Sequence, residues 1–273
     1  MRTNRVKRTL AEGGVSIGTM MMEFSTTGIA RIAAEAGAEF AVFDMEHTGW
    51  SMETIRMLMA TSRASELVPM VRVPALQYHF IARVLDVGAM GVVVPMVADA
   101  AQARMIVDAA KYPPAGRRGV AFGVAHDDYQ GGDLSAKFQQ ANDEVILFAQ
   151  IETVSGVENV DAIAAVAGID ALWIGQYDLT ASLGIPGQFG HPDFQAATRR
   201  VHDACRRHGK TAVLGALDAD TLARGPSDGF RMLVYLADLW IYQTALRRGF
   251  ETIRESLAKP EATGSNDDLD SGG

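Results

Sequence analysis

Apolar, β-rich runs recur along the chain at roughly 15–22, 40–47, 68–74, 91–97, 145–153, 171–177, 211–216 and 231–237. Between them apolar residues return near helical spacing, over Thr27–Gly37, Met52–Ala64, Gln77–Val87, Asp99–Tyr112, Ser155–Ala167, Asp193–His208, Asp218–Arg224 and Leu239–Leu257. A short helix over residues 4–12 precedes the first run. Several runs are continuously apolar, as in parallel strands buried on both faces. Eight strands alternating with helices in 273 residues predict an α/β protein, a (β/α)8 TIM barrel. A doubly wound open sheet is the other architecture with this alternation. Against it, neither Gly13-Gly14 nor Gly88-Ala-Met-Gly91 matches a dinucleotide or phosphate-loop pattern. The expected division is one barrel domain over residues 1–258 and a disordered tail over 259–273, whose composition cannot bury a core. Residues 113–144, rich in proline and glycine, read as one long loop on the C-terminal side of the barrel.

Composition narrows the field. A formal net charge of −8 argues against a nucleic-acid partner. No apolar run reaches the roughly 20 residues that cross a bilayer, so no membrane partner is expected. The lone Cys205 makes no internal disulfide, and a cytoplasmic location is expected.

The candidate chemistry gathers at strand ends. Two apolar runs each end in a carboxylate, Glu152 closing the first and Asp178 the second, with a helical segment between them. A right-handed crossover makes these strands parallel neighbours, with both carboxylates on one rim. Two hard oxygen ligands there suit a divalent ion that takes a chelating substrate. The second run ends Asp44-Met45-Glu46-His47, where Asp44 could hold one nitrogen of the His47 ring and leave the other as a base. Arg72 lies in an otherwise apolar strand and needs an anionic partner, either structural or a developing oxyanion. Gln150 shares a face with Glu152 and either cross-links the barrel or meets a substrate oxygen. Asp86 reads as an ordinary solvated helix residue. None of the five lysines falls within a predicted strand, which disfavours a Schiff base. A Lewis-acid metal, a cation and a histidine base together suit proton removal next to a carbonyl.

The stretches Asp44-Met-Glu-His47, Val-Pro-Met-Val-Arg72-Val-Pro, Leu85-Asp86 through Val97, Tyr112-Pro-Pro-Ala-Gly-Arg-Arg-Gly119, Gln150-Ile-Glu152-Thr and Ile174-Gly-Gln-Tyr-Asp178-Leu resemble the HpcH/HpaI aldolases, class II pyruvate aldolases, from about residue 12 to about 255. The resemblance implies a phosphoenolpyruvate/pyruvate-type barrel. Its metal, Mg²⁺, Mn²⁺ or Co²⁺, would be held by Glu152 and Asp178. His47 would be the base, paired with Asp44, and Arg72 would steady the enolate. An acid at Asp86, reaching in from a neighbouring subunit, would support the histidine. Gln150 and the Tyr177 backbone would contact substrate, pyruvate plus an aldehyde. The resemblance further implies a homohexamer that exchanges the last helix. Thr48-Gly49-Trp50, Gln176 and His126-Asp127-Asp128-Tyr129 depart from the pattern, which leaves the aldehyde open; Trp50 and His126 are expected on its side. A citrate-lyase-β or malyl-CoA-type lyase and a non-catalytic oxo-acid-binding barrel are the competing readings.

Overall fold

In strand β2 (Phe40–Asp44) every residue is buried, yet alternate side chains meet different neighbours. Phe40 and Val42 pack in one apolar cluster with Val68, Met70, Val93, Ile146, Phe148, Ala171 and Trp173. Ala41 and Phe43 pack in a second with helix residues such as Ile55, Leu58 and Ile81. The period of two along a strand produces this division, and it identifies the first cluster as the inside of a closed sheet. In the computed structural model, which describes residues 2–258, eight parallel strands close in sequence order, with β1 paired to β8.

The remaining strands are β1 (Ser16–Met21), β3 (Val68–Arg72), β4 (Gly91–Val94), β5 (Ile146–Ile151), β6 (Ala171–Ile174), β7 (Thr211–Ala216) and β8 (Met232–Tyr235). The helices are α1 (Arg5–Ala11), α2 (Ile29–Glu35), α3 (Met52–Ser62), α4 (Tyr78–Asp86), α5 (Ala100–Ala110), α6 (Leu134–Glu144), α7 (Val154–Glu158), α8 (Val160–Ala164), α9 (Gln176–Ser182), α10 (Pro192–His208), α11 (Ala219–Arg224) and α12 (Asp238–Ala258). The expected barrel is present. Helix α1 closes its lower end: Val6 joins the inner cluster, and the Asn4 amide donates to the carbonyls of Met90 and Glu144.

Three expectations need correction. Residues 113–144 are not one long loop, because α6 occupies their last third, started by the Asp133 side chain accepting from Ala136 N–H. The helix expected over Ser155–Ala167 is two short ones, α7 and α8, meeting at Asn159. Strand β6 stops at Ile174, and Asp178 lies in the first turn of α9 rather than on the strand. The tail expected beyond residue 258 lies outside the described residues.

Candidate active site

In strands β2, β3 and β5 the inward alternation ends, at the upper rim, on a polar side chain. Phe40 and Val42 lead to Asp44, Val68 and Met70 to Arg72, and Ile146 and Phe148 to Gln150. Asp44 and Arg72 are direct neighbours in the β2–β3 register, which makes their side chains a cross-strand pair. Arg72 Nε donates to Asp44 Oδ1 at 2.7 Å and Nη2 to Oδ2 at 2.9 Å, with Asp44 fully buried. Burial pulls the guanidinium down, but the Asp44 hydrogen bonds and the charges of Asp44, Glu46 and Glu152 more than reverse this. Arg72 is a fixed cation.

The same Asp44 oxygens accept the backbone N–H of Glu46 at 3.0 Å and of His47 at 3.2 Å. Asp44 therefore does not hold the His47 ring as expected; both of its oxygens are already filled by Arg72 and by its own turn. The ring, about half exposed, lies 3.8 Å from Glu46 Oε2 through Nε2. Sequence reasoning passed over Glu46. Burial pushes its carboxyl up to about 7; Arg72 pulls it down, while Glu152, Asp44 and Asp178 raise it further.

Glu152 follows directly on β5 and is 1% exposed. Its oxygens accept from Met96 N–H at 2.6 Å and from the Gln150 amide. Gln150 thus makes a cross-link to Glu152, and it also lines the cavity. Met96 has a left-handed φ of 58°, unusual for a residue with a side chain, and that turn aims its N–H at Glu152. Burial raises the Glu152 carboxyl, and so does the charge of Asp178. Gly175 lets the carboxylate sit where it does: a Cβ there would stand 2.7 Å from Glu152 Cβ.

A cavity of about 440 Å³ opens on this rim, within the range of ligand pockets. His47, Arg72, Gln150, Tyr177 and Asp178 line one side, and Met20, Met22, Trp173, Leu236 and Trp240 form an apolar wall. Tyr177 is largely exposed and packs edge-on against Phe189. Among the described residues no three His, Cys, Asp or Glu side chains form a metal-ligand group. The pair Glu152 and Asp178 nevertheless fits a hard divalent cation: burial and then the Asp178 charge oppose the ionisation of Glu152, which a cation would relieve, and an ion that keeps sites for substrate needs no more protein ligands.

Other expected residues fall elsewhere. Asp86 ends α4 at the opposite side of the barrel, where it pairs with the buried Arg118 at 2.5 Å. His126 is buried against Tyr112, whose hydroxyl lies 2.9 Å from Nε2, and Phe122. Trp50 packs on Phe43. Neither His126 nor Trp50 lines this cavity, contrary to expectation.

The parallel barrel carries carboxylates, a guanidinium held by Asp44 and a half-exposed imidazole on its C-terminal rim, where barrel enzymes place their chemistry. The HpcH/HpaI aldolase/citrate lyase family profile matches residues 20–228, and the chain belongs to that family. It is 34% identical to a 2-keto-3-deoxy-L-rhamnonate aldolase of Klebsiella pneumoniae over 95% of this chain and 96% of that one. It is also 34% identical to a hydroxypyruvate/pyruvate aldolase of Roseobacter denitrificans, over 86% and 91%. An HpcH/HpaI aldolase structure from Desulfitobacterium hafniense superposes with a TM-score of 0.87 at 35% identity, covering 91% of this chain and 96% of that one. The protein is an aldolase, a carbon–carbon lyase.

Proposed function

We propose that this aldolase reversibly cleaves a 4-hydroxy-2-oxo acid into pyruvate and an aldehyde. The observation that carries the reading is the convergence on one cavity of Arg72, His47 and Asp178, with Glu152 directly behind Gly175. Glu152 and Asp178 would hold the divalent cation, Mg²⁺, Mn²⁺ or Co²⁺, which when bound supplies Lewis-acid polarisation of the 2-oxo group. His47 takes the proton of the C4 hydroxyl as the C3–C4 bond breaks. The bond's electrons pass to the C2 oxygen, giving pyruvate enolate and an aldehyde. Returning the proton from His47 to C3 then completes pyruvate. Arg72, held in place by Asp44, faces the charge that develops on the C2 oxygen without having to reorganise. Gln150 and the Tyr177 backbone contact the oxo acid. The apolar wall keeps water from the enolate.

The expected site residues that lie apart belong to an assembly. Asp86 can support a histidine only across a subunit boundary, since its own chain's His47 is at the other rim. Helix α12 buries only Asp238, and Tyr242, Leu246, Phe250, Ile253 and Leu257 are exposed along it. Such a face would be covered by a neighbouring subunit in the helix-exchanging homohexamer that the resemblance implies. No helix among the described residues is long and apolar enough to cross a membrane.

Exchange of the pyruvate methyl protons in D₂O tests the reading. Exchange that needs Mn²⁺ and is lost in His47→Ala supports it. Absence of exchange with metal present would refute pyruvate as the nucleophilic half of the reaction.

A further inference from the structure

The turn after β2 sends two consecutive side chains apart. By accepting the N–H groups of Glu46 and His47, Asp44 turns Glu46 inward, to 15% exposure, and leaves His47 53% exposed. Glu46 Oε2 is buried and makes no hydrogen bond. Two groups stand near it: Arg72 Nη1 at 3.2 Å and His47 Nε2 at 3.8 Å. The other two guanidinium nitrogens are taken by Asp44. Asp44, Arg72, Glu46 and His47 thus form a row of alternating acid and base across the rim.

A buried acceptor without a donor is unfavourable. The imidazole can supply one. At 3.8 Å the two atoms are beyond hydrogen-bond range, but the ring is half exposed and turns about its own torsions. Asp44 cannot compete for it, because each of its oxygens already accepts two N–H groups. The remaining charges facing Glu46, those of Glu152 and Asp178, are acidic and offer no donor. They raise its affinity for a proton, and so favour any N–H that approaches. A ring that gives its Nε2–H to Glu46 carries its lone pair on Nδ1.

We propose that Glu46 is the positioning residue of the base: it holds His47 in the Nε2–H form and turns Nδ1 to the substrate as proton acceptor. The use of Nδ1 rests on the aldolase reading above, whereas the tautomer is a property of the protein alone.

Long-range ¹H–¹⁵N correlation on ¹⁵N-labelled protein with Mg²⁺, near pH 8 where an ordinary imidazole is neutral, reads the tautomer directly. The His47 signals are assigned by their loss in His47→Gln. The wild type should show the Nε2–H form. Glu46→Ala should move the ring to a mixture, and Glu46→Gln, which keeps an acceptor oxygen, should restore it. In pyruvate methyl exchange, Glu46→Ala should lower kcat at least about tenfold, with KM within about threefold, and Glu46→Gln should recover part of the loss. An Nδ1–H wild type, or the same tautomer in Glu46→Ala as in the wild type, overturns the proposal. If the tautomers behave as stated and neither the wild type nor any variant exchanges pyruvate, the positioning stands and the pyruvate reading falls.

Discussion

Replacing Gly175 by alanine tests the metal pair without altering either carboxylate. The new methyl would stand 2.7 Å from Glu152 Cβ and closer still to its Oε2, against 3.4–4 Å for an ordinary contact. Glu152 is 1% exposed and tied to Met96 N–H and Gln150, so it has little freedom to step aside. It must retreat by roughly 0.7 Å or more, since close-packed atoms do not overlap. Metal–oxygen distances tolerate only about 0.2 Å. The displacement is several times larger, and the expected loss of Mn²⁺ affinity is about tenfold to hundredfold, or about 1.4–2.8 kcal/mol. Isothermal titration with Mn²⁺ measures it, with circular dichroism to show that the fold persists. Gly190→Ala is the control, because nothing lies within 4 Å of a Cβ placed there. If folded Gly175→Ala binds Mn²⁺ within threefold of the wild type, Glu152 is not a ligand.

Arg72→Met leaves Asp44 fully buried and unpaired, which should lower stability in urea unfolding by about 3–5 kcal/mol; a loss under about 1 kcal/mol would contradict the buried pair. Burial holds His126 down at about 4, below its ordinary 6.5. The unfolded chain then takes a proton first, so the contribution is full above about pH 6.5 and falls as pH drops toward 4, by up to about 3 kcal/mol. His126→Gln should flatten that fall in urea titrations at several pH values, and an unchanged pH dependence would count against a buried neutral histidine. Mn²⁺ at a hundredfold excess over its dissociation constant should stabilise the wild type by about 2.7 kcal/mol. EDTA should abolish that gain, and Glu152→Gln should show none; an equal gain in the variant would place the ion elsewhere.

Much of the fold was legible in the chain because a parallel barrel writes itself as a rhythm. Buried strands and amphipathic helices alternate, and all eight strands were found near their observed positions. Their ends were not: the runs at 40–47, 91–97 and 171–177 were cut back to Phe40–Asp44, Gly91–Val94 and Ala171–Ile174. Beyond Val94 the apolar run continues through Pro95, Met96 and Val97, yet the backbone leaves the ladder there to build the site, and hydrophobicity alone carries no sign of that departure. Helix α6 was hidden by its polar composition, since only Ala141 is buried in it.

The site divides in the same way. Residue types and period-two spacing brought Asp44, Arg72, Gln150 and Glu152 to one rim, because inward alternation along a closed sheet leaves few places for a polar side chain. Which of them touch is a three-dimensional matter. The register that sets Asp44 against Arg72 uses up the acid expected to hold His47, and a turn directs Glu46 to the place beside the ring. The left-handed Met96 and the bare Cα of Gly175 have no chemical signature in a sequence, yet they fix where Glu152 points. The chain's composition and periodicity determined the barrel and its stock of reactive groups. Register, close approach and backbone turns, which depend on residues distant in sequence, decided how those groups are paired.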